Sequence, residues 1–297
     1  MFIIRAFPNL TDDFLIAYRY AEAISKFFNV GIKFTNSDFP FPAIPTNYLD
    51  VFSSSVPHNS INLWFGPARN FNLSNYKNYA FLTTDHHLKP SCLFQMNKYF
   101  YLENMIFPIF EENQQEKSGI LSYFWPNDES MLRETIEAWL YSKSSEPLKI
   151  LAPYFSKKVI VDLIKYYRKQ ISKEEKIFVS TPQNASYEMI KNEIKKSKII
   201  LDLKKHKSIS FSSVIALSIG IPCLTTSDVF PSGGYVINSK GYYINDKPGK
   251  LFNEKMSKYD ISEIIQGINM LEHNSIIKKE DNLKSIFNLC SEMIKGD

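Results

Sequence analysis

Asp85 closes a short apolar run, Tyr79-Ala-Phe-Leu-Thr-Thr, which delivers its carboxylate to the end of a strand. In an open parallel sheet the carboxyl ends of the strands face the ligand. A carboxylate placed there can take a proton from a reacting hydroxyl, or can cap the turn that follows. A second group suits phosphate. His206, Ser208, Ser210, Ser212 and Ser213 lie in a small polar loop and the helix start that follows it, after the apolar strand Ile-Ile-Leu-Asp-Leu. Hydroxyls and helix-start amides can approach an anion in such a place, although serines there also serve as ordinary caps. Lys157 and Lys158 open another helix just after a strand. Cations at that position oppose the helix dipole, which points to an anion nearby or to solvated lysines of a lysine-rich chain. His86 and His87 lack a third ligand at metal spacing, and no metal site is expected.

These residues need elements to hold them. Phe2–Ala6 reads as a strand, residues 11–28 as a helix with Asp12 and Asp13 at its positive end, and Gly31–Phe34 as a second strand. Residues 35–59, rich in Pro, Ser and Asn, read as a long loop. Further strands are expected at Ile61–Phe65, Tyr79–Thr83, Lys98–Leu102 and Ile120–Phe124, then a helix over 128–142. Ser142-Lys-Ser-Ser-Glu-Pro147 has the composition of a linker. Alternation then resumes. Strands fall at Lys149–Ala152, Lys176–Ser180, Lys198–Leu203, Cys223–Thr226 and Tyr242–Asn245. Helices fall at 156–170, 185–196 and 210–219, with two more over about 259–273 and 275–294. Two runs of β-α alternation predict an α/β chain of two Rossmann-like domains facing a central cleft. The expected division is 1–145 and 146–274, with the last helix, about 275–297, packing back on the first domain.

The segment around the serines resembles the carboxyl-terminal half of GT-B glycosyltransferases. Many of these carry Glu-Gly-Phe-Gly, four residues, then Glu-Ala-Met-Ala-x-Gly-x-Pro. Here the chain reads Lys207-Ser-Ile-Ser, four residues, then Ile215-Ala-Leu-Ser-Ile-Gly-Ile-Pro222. Ala216, Gly220, Pro222 and the following apolar strand are kept, while both glutamates are replaced, by Lys207 and Ile215. The second glutamate commonly holds the donor ribose in that family, and Ile215 cannot accept those hydrogen bonds. The resemblance implies a nucleotide-sugar donor, most simply a UDP-sugar, bound by the second half. Lys157 and Lys158 would neutralise its diphosphate, and Ser180 and Thr181 would hold its base through backbone contacts. The Asp85 segment also resembles a strand-end Tyr-Leu-Phe-Thr-Asp stretch of phage DNA β-glucosyltransferases, in which the aspartate is the base. This implies an inverting, metal-independent transferase with Asp85 as its base and a glycan, a protein or DNA as acceptor. The lost glutamates keep open the alternative of a catalytically silent binding or assembly subunit.

Bulk properties fit this reading. A chain of 297 residues, 44% hydrophobic and 22% charged, can build two cores. A net charge of +4 is too mild to diagnose nucleic-acid binding by itself. Three scattered cysteines, Cys92, Cys223 and Cys290, read as free thiols of a reducing compartment. The amino terminus lacks the long apolar region of a signal peptide, and no stretch reaches the length of a membrane span. A cytoplasmic protein is expected; the sequence leaves its oligomeric state open.

Overall fold

A computed structural model of the chain describes residues 1–6, 11–34, 50–52, 57, 60–65, 79–82, 100–102, 107, 109, 116–124, 129–142, 144–153, 155–169, 176–183, 185–202, 211–221, 223–225, 234–238, 241–245 and 279–295. The chain divides into two compact units. The first comprises Met1–Pro108, Ile209–Phe211 and Lys278–Asp297; the second comprises Ile109–Ser208 and Ser212–Ile277.

Unit 1 contains β1 (Phe2–Ala6), α1 (Thr11–Ser25), β2 (Val30–Phe34), β3 (Asp50–Phe52), β4 (Ile61–Phe65), β5 (Tyr79–Leu82) and β6 (Phe100–Leu102). The six strands lie in the order β3-β2-β1-β4-β5-β6, and every neighbouring pair is parallel. That order is the doubly wound one, and it reverses direction between β1 and β4. Phe2, Ile3 and Ile4 on β1 are buried, as are Leu15, Ala17, Tyr18, Ala21 and Ile24 on α1. A helix so thoroughly enclosed needs cover beyond the sheet. The last described helix, Lys279–Lys295 (here α6), packs on it. Ile286, Cys290 and Met293 are buried at helical spacing. Phe287 stacks on Phe28 at 5.7 Å between centroids and meets Phe27 edge-on at 5.2 Å. Burial pushes the Cys290 thiol up to about 12, which keeps it protonated and inert.

Unit 2 contains β7 (Ile120–Tyr123), α2 (Glu129–Tyr141), β8 (Leu148–Leu151), α3 (Lys157–Arg168), β9 (Ile177–Ser180), α4 (Tyr187–Lys195), β10 (Ile199–Asp202), α5 (Phe211–Ser218), β11 (Cys223–Thr225), β12 (Gly234–Asn238) and β13 (Gly241–Asn245). Its seven-stranded sheet runs β13-β12-β11-β10-β7-β8-β9. With β7 taken as the first strand, this repeats the order of unit 1 and adds β13 antiparallel to β12. The reversal falls between β7 and β10, where Ser122 Oγ donates to the Leu201 carbonyl at 2.8 Å. Met131, Ile136, Trp139, Ile150, Ile160, Leu163 and Ile199 share one core.

The two compact units meet at 108/109, whereas the sequence predicts a division at 145/146. β7 pairs with β8, Ile120 against Leu148, and with β10, Ile120 against Ile199. It is therefore a central strand of the second sheet, and α2 follows it there. Ser142–Pro147 connects α2 to β8 and is a pinned turn. Trp139 Nε1 donates to the Glu146 carbonyl at 3.0 Å, and the Ser142 hydroxyl to the Trp139 carbonyl at 2.7 Å. Glu146 accepts from the Gly119 amide at 3.0 Å and pairs with Lys198.

Gly119 enters β7 with φ +77, and a Cβ built there would stand 2.8 Å from the Pro147 carbonyl oxygen. The backbone conformation and the contact both require glycine. Gly119→Ala is expected to cost about 1–3 kcal/mol, read as a lowered urea midpoint at unchanged slope. An unchanged midpoint would mean that the turn yields freely.

Candidate functional site

The carboxyl edge of the unit 2 sheet carries the residues expected to meet a donor. β8 ends at Leu151, the register partner of Ser180 at the end of β9. The Ala152 amide donates to the Ser180 carbonyl at 2.9 Å, which ties the two strand ends together. Lys157 and Lys158 open α3 after β8, and both are exposed. The N-cap, Ser156, makes no side-chain cap bond, and the first turn has no acid. α4 differs. Its N-cap Ser186 accepts from the Met189 amide, and Glu188 stands in its first turn. α3 thus leaves its positive end uncompensated from within its own first turn and adds two cations to it. Ser180 is exposed and Thr181 half-buried beside it. The structure therefore brings Lys157, Lys158, Ser180 and Thr181 to two adjacent strand ends.

The serines of α5 behave otherwise. Ser212 and Ser213 are fully enclosed, and Ser213 Oγ donates to Asp202 Oδ2 at 2.5 Å. Ser213 is thus bonded to a buried carboxylate, and both side chains are enclosed in the first turn of α5 rather than exposed to solvent. Ile215, where the GT-B pattern has its second glutamate, is core, 0% exposed. Gly220 has φ 76 and ends α5 in the left-handed region, as a glycine stop should. Asp85, His206, Ser208 and Ser210 lie outside the described residues, as does the helix expected over 259–273. Among the described residues no group of three His, Cys, Asp or Glu could hold a metal ion.

Two further charged residues near strand ends lie outside the set the sequence predicts. Asp202 is buried at the end of β10, and Arg5 is buried near the end of β1. On β4, Asn62 is buried as well, and its Oδ1 accepts from Arg5 Nε at 2.6 Å. A single charge inside an otherwise apolar strand was the available signal, because burying it demands a partner.

Two doubly wound sheets in one chain define the architecture of the GT-B glycosyltransferases, and the chain has this fold. Solved structures match it from end to end. A glycosyltransferase involved in avilamycin A biosynthesis has a TM-score of 0.54 at 8% identity, covering 100% of this chain and 99% of that one. An alpha-glucosyltransferase in complex with UDP and a 13-mer DNA has a TM-score of 0.53 at 8% identity, covering 99% of this chain and 100% of the other. The lipopolysaccharide outer core galactosyltransferase WaaB reaches 0.50 at 10% identity, covering 100% and 99%. No protein-family model matches the sequence, and no curated protein matches it. No described helix is long and apolar enough to cross a membrane.

Proposed function

We propose that the chain is a glycosyltransferase that moves a sugar from a nucleotide-sugar donor, a UDP-sugar, to an acceptor hydroxyl. The observation that carries this reading is the end-to-end likeness of fold to several glycosyltransferases. In this reading unit 2 takes the donor. Lys157, Lys158 and the start of α3 neutralise the diphosphate. Ser180 and Thr181 meet the base, and His206, Ser208 and Ser210 complete the phosphate contacts from the loop before α5. Ser212 and Ser213 are left out of the contacts, and Ser213 instead holds Asp202. Unit 1 takes the acceptor, a glycan, a protein or DNA. Asp85 is the general base of an inverting displacement that needs no metal.

Calorimetric titration with UDP, GDP, ADP and CMP tests the donor half. UDP is expected to bind, and the double substitution Lys157→Ala, Lys158→Ala is expected to weaken it about tenfold, close to 1.4 kcal/mol. Both lysines are exposed, so the melting temperature should hold. If no nucleotide binds the full chain, the transferase reading fails and the silent binding subunit takes its place.

A further inference from the structure

Three large apolar side chains of unit 1 stand together in water. Phe27 is 45% exposed, Phe287 41% and Ile294 48%. Single exposed apolar residues are ordinary on a protein surface, whereas a contiguous group marks a contact surface. This group is contiguous. Phe27 meets Phe287 edge-on at 5.2 Å. Ile294 follows Phe287 by two turns on the same side of α6.

The surroundings hold this group in position. The Phe27 and Phe28 amides both donate to the Ile24 carbonyl at 3.0 Å, which closes the turn after α1. Phe28 packs on Phe287 at 5.7 Å and on buried Phe2 at 5.3 Å. The exposed rings are therefore seated on the core of unit 1. The turn joins α1 to β2, so it lies at the amino edge of the sheet. Ligands of doubly wound sheets bind at the opposite edge.

Charge selects the occupant. Lys284 stands one turn before Phe287, Lys295 stands next to Ile294, and both are exposed. With Ser291 between them they form a stripe beside the apolar one. Exposed Glu292 lies about 140° around the helix from Phe287. A second copy of the chain would bring the same lysines, and three side chains fall far short of the roughly 800 Å² per partner that a stable dimer buries. A lipid surface asks for less. A few apolar side chains enter the headgroup layer, and neighbouring lysines meet anionic lipids. We propose that the face of Phe27, Phe287 and Ile294, flanked by Lys284 and Lys295, docks unit 1 on an anionic lipid bilayer. The contact is peripheral and leaves the carboxyl edge of the sheet in water.

Cosedimentation of the full chain with lipid vesicles tests the face without nucleotide or turnover. The chain is expected to bind vesicles of phosphatidylcholine mixed equally with phosphatidylglycerol, and to leave them as salt is raised. It is expected to stay in solution with phosphatidylcholine alone. Lys284→Gln with Lys295→Gln is expected to weaken binding about 25-fold, about fivefold for each charge. Ile294→Ser is expected to weaken it about fivefold, the effect of returning about half an isoleucine side chain to water. All three residues are exposed, so the melting temperature should hold. Failure to bind the mixed vesicles, equal binding to both kinds, or binding that ignores all three substitutions would each overturn the proposal. A dimer in sedimentation velocity that Ile294→Ser dissociates would give the face to a second copy and overturn it as well. No sugar transfer is measured, so each outcome stands apart from the transferase reading.

Discussion

Asp85→Asn is expected to lower sugar transfer about 10²- to 10⁴-fold, the range over which a positioned base contributes to a proton transfer. Tyr79–Leu82 pairs in parallel with both β4 and β6, so the chain leaves β5 at the carboxyl edge of the sheet, and Asp85 follows three residues later. Ligands of such sheets lie at that edge. An amide at this position keeps the size of the carboxylate and removes its basicity, so UDP affinity should remain within about twofold. Turnover of a radiolabelled nucleotide sugar, measured beside calorimetric UDP binding, separates the two effects. A base acting by direct displacement also dictates product stereochemistry, because the new glycosidic bond must form on the face opposite the leaving diphosphate. Proton NMR of the product anomer checks this. Near-normal turnover in the variant removes Asp85 as the base, and a retained anomer removes the displacement itself.

The elements of both units were legible where a strand or helix is long enough to show its period. β1, β4 and β10 are apolar runs of four or five residues, and α1 and α2 carry apolar positions at helical spacing. β3 has only three residues, Asp50–Phe52, inside a stretch of Pro, Ser and Asn. It owes its place to pairing with β2, a non-local term that composition cannot express. β12 begins at Gly234, directly after another glycine, so turn chemistry masked the strand. The candidate site was legible in part. Lys157, Lys158, Ser180 and Thr181 fall beside strand ends that the β-α alternation fixes in the chain. The burial of Ser212 and Ser213 is hidden from a local pattern that reads as a polar loop, and the partner of Ser213, Asp202, lies on β10, outside the window such a pattern covers. The Arg5–Asn62 bond is hidden from sequence for the same reason, with 57 residues between its ends.

Trp139→Ala is expected to cost unit 2 about 3–5 kcal/mol through the lost transfer energy and the cavity left behind, a large share of the 5–15 kcal/mol that typically holds a protein folded. Trp139 is 1% exposed in the core shared by α2, α3 and the sheet. Its indole N–H also holds the Glu146 carbonyl, and Glu146 in turn holds the start of β7 through Gly119 and the start of β10 through Lys198. One side chain thus ties together the turn whose composition imitates a linker. Trp139→Phe separates the two contributions: it keeps most of the apolar volume and loses the hydrogen bond, so a smaller loss of about 1–3 kcal/mol is expected. Urea unfolding followed by circular dichroism measures both variants. If residues 142–147 were a flexible connection between domains, neither variant would disturb β7 or β10, and hydrogen exchange at Leu121 and Ile200 would match the parent protein. The pinned turn predicts instead that exchange at both strands accelerates together in Trp139→Ala, because β7 and β10 are neighbours in one sheet and open as one unit.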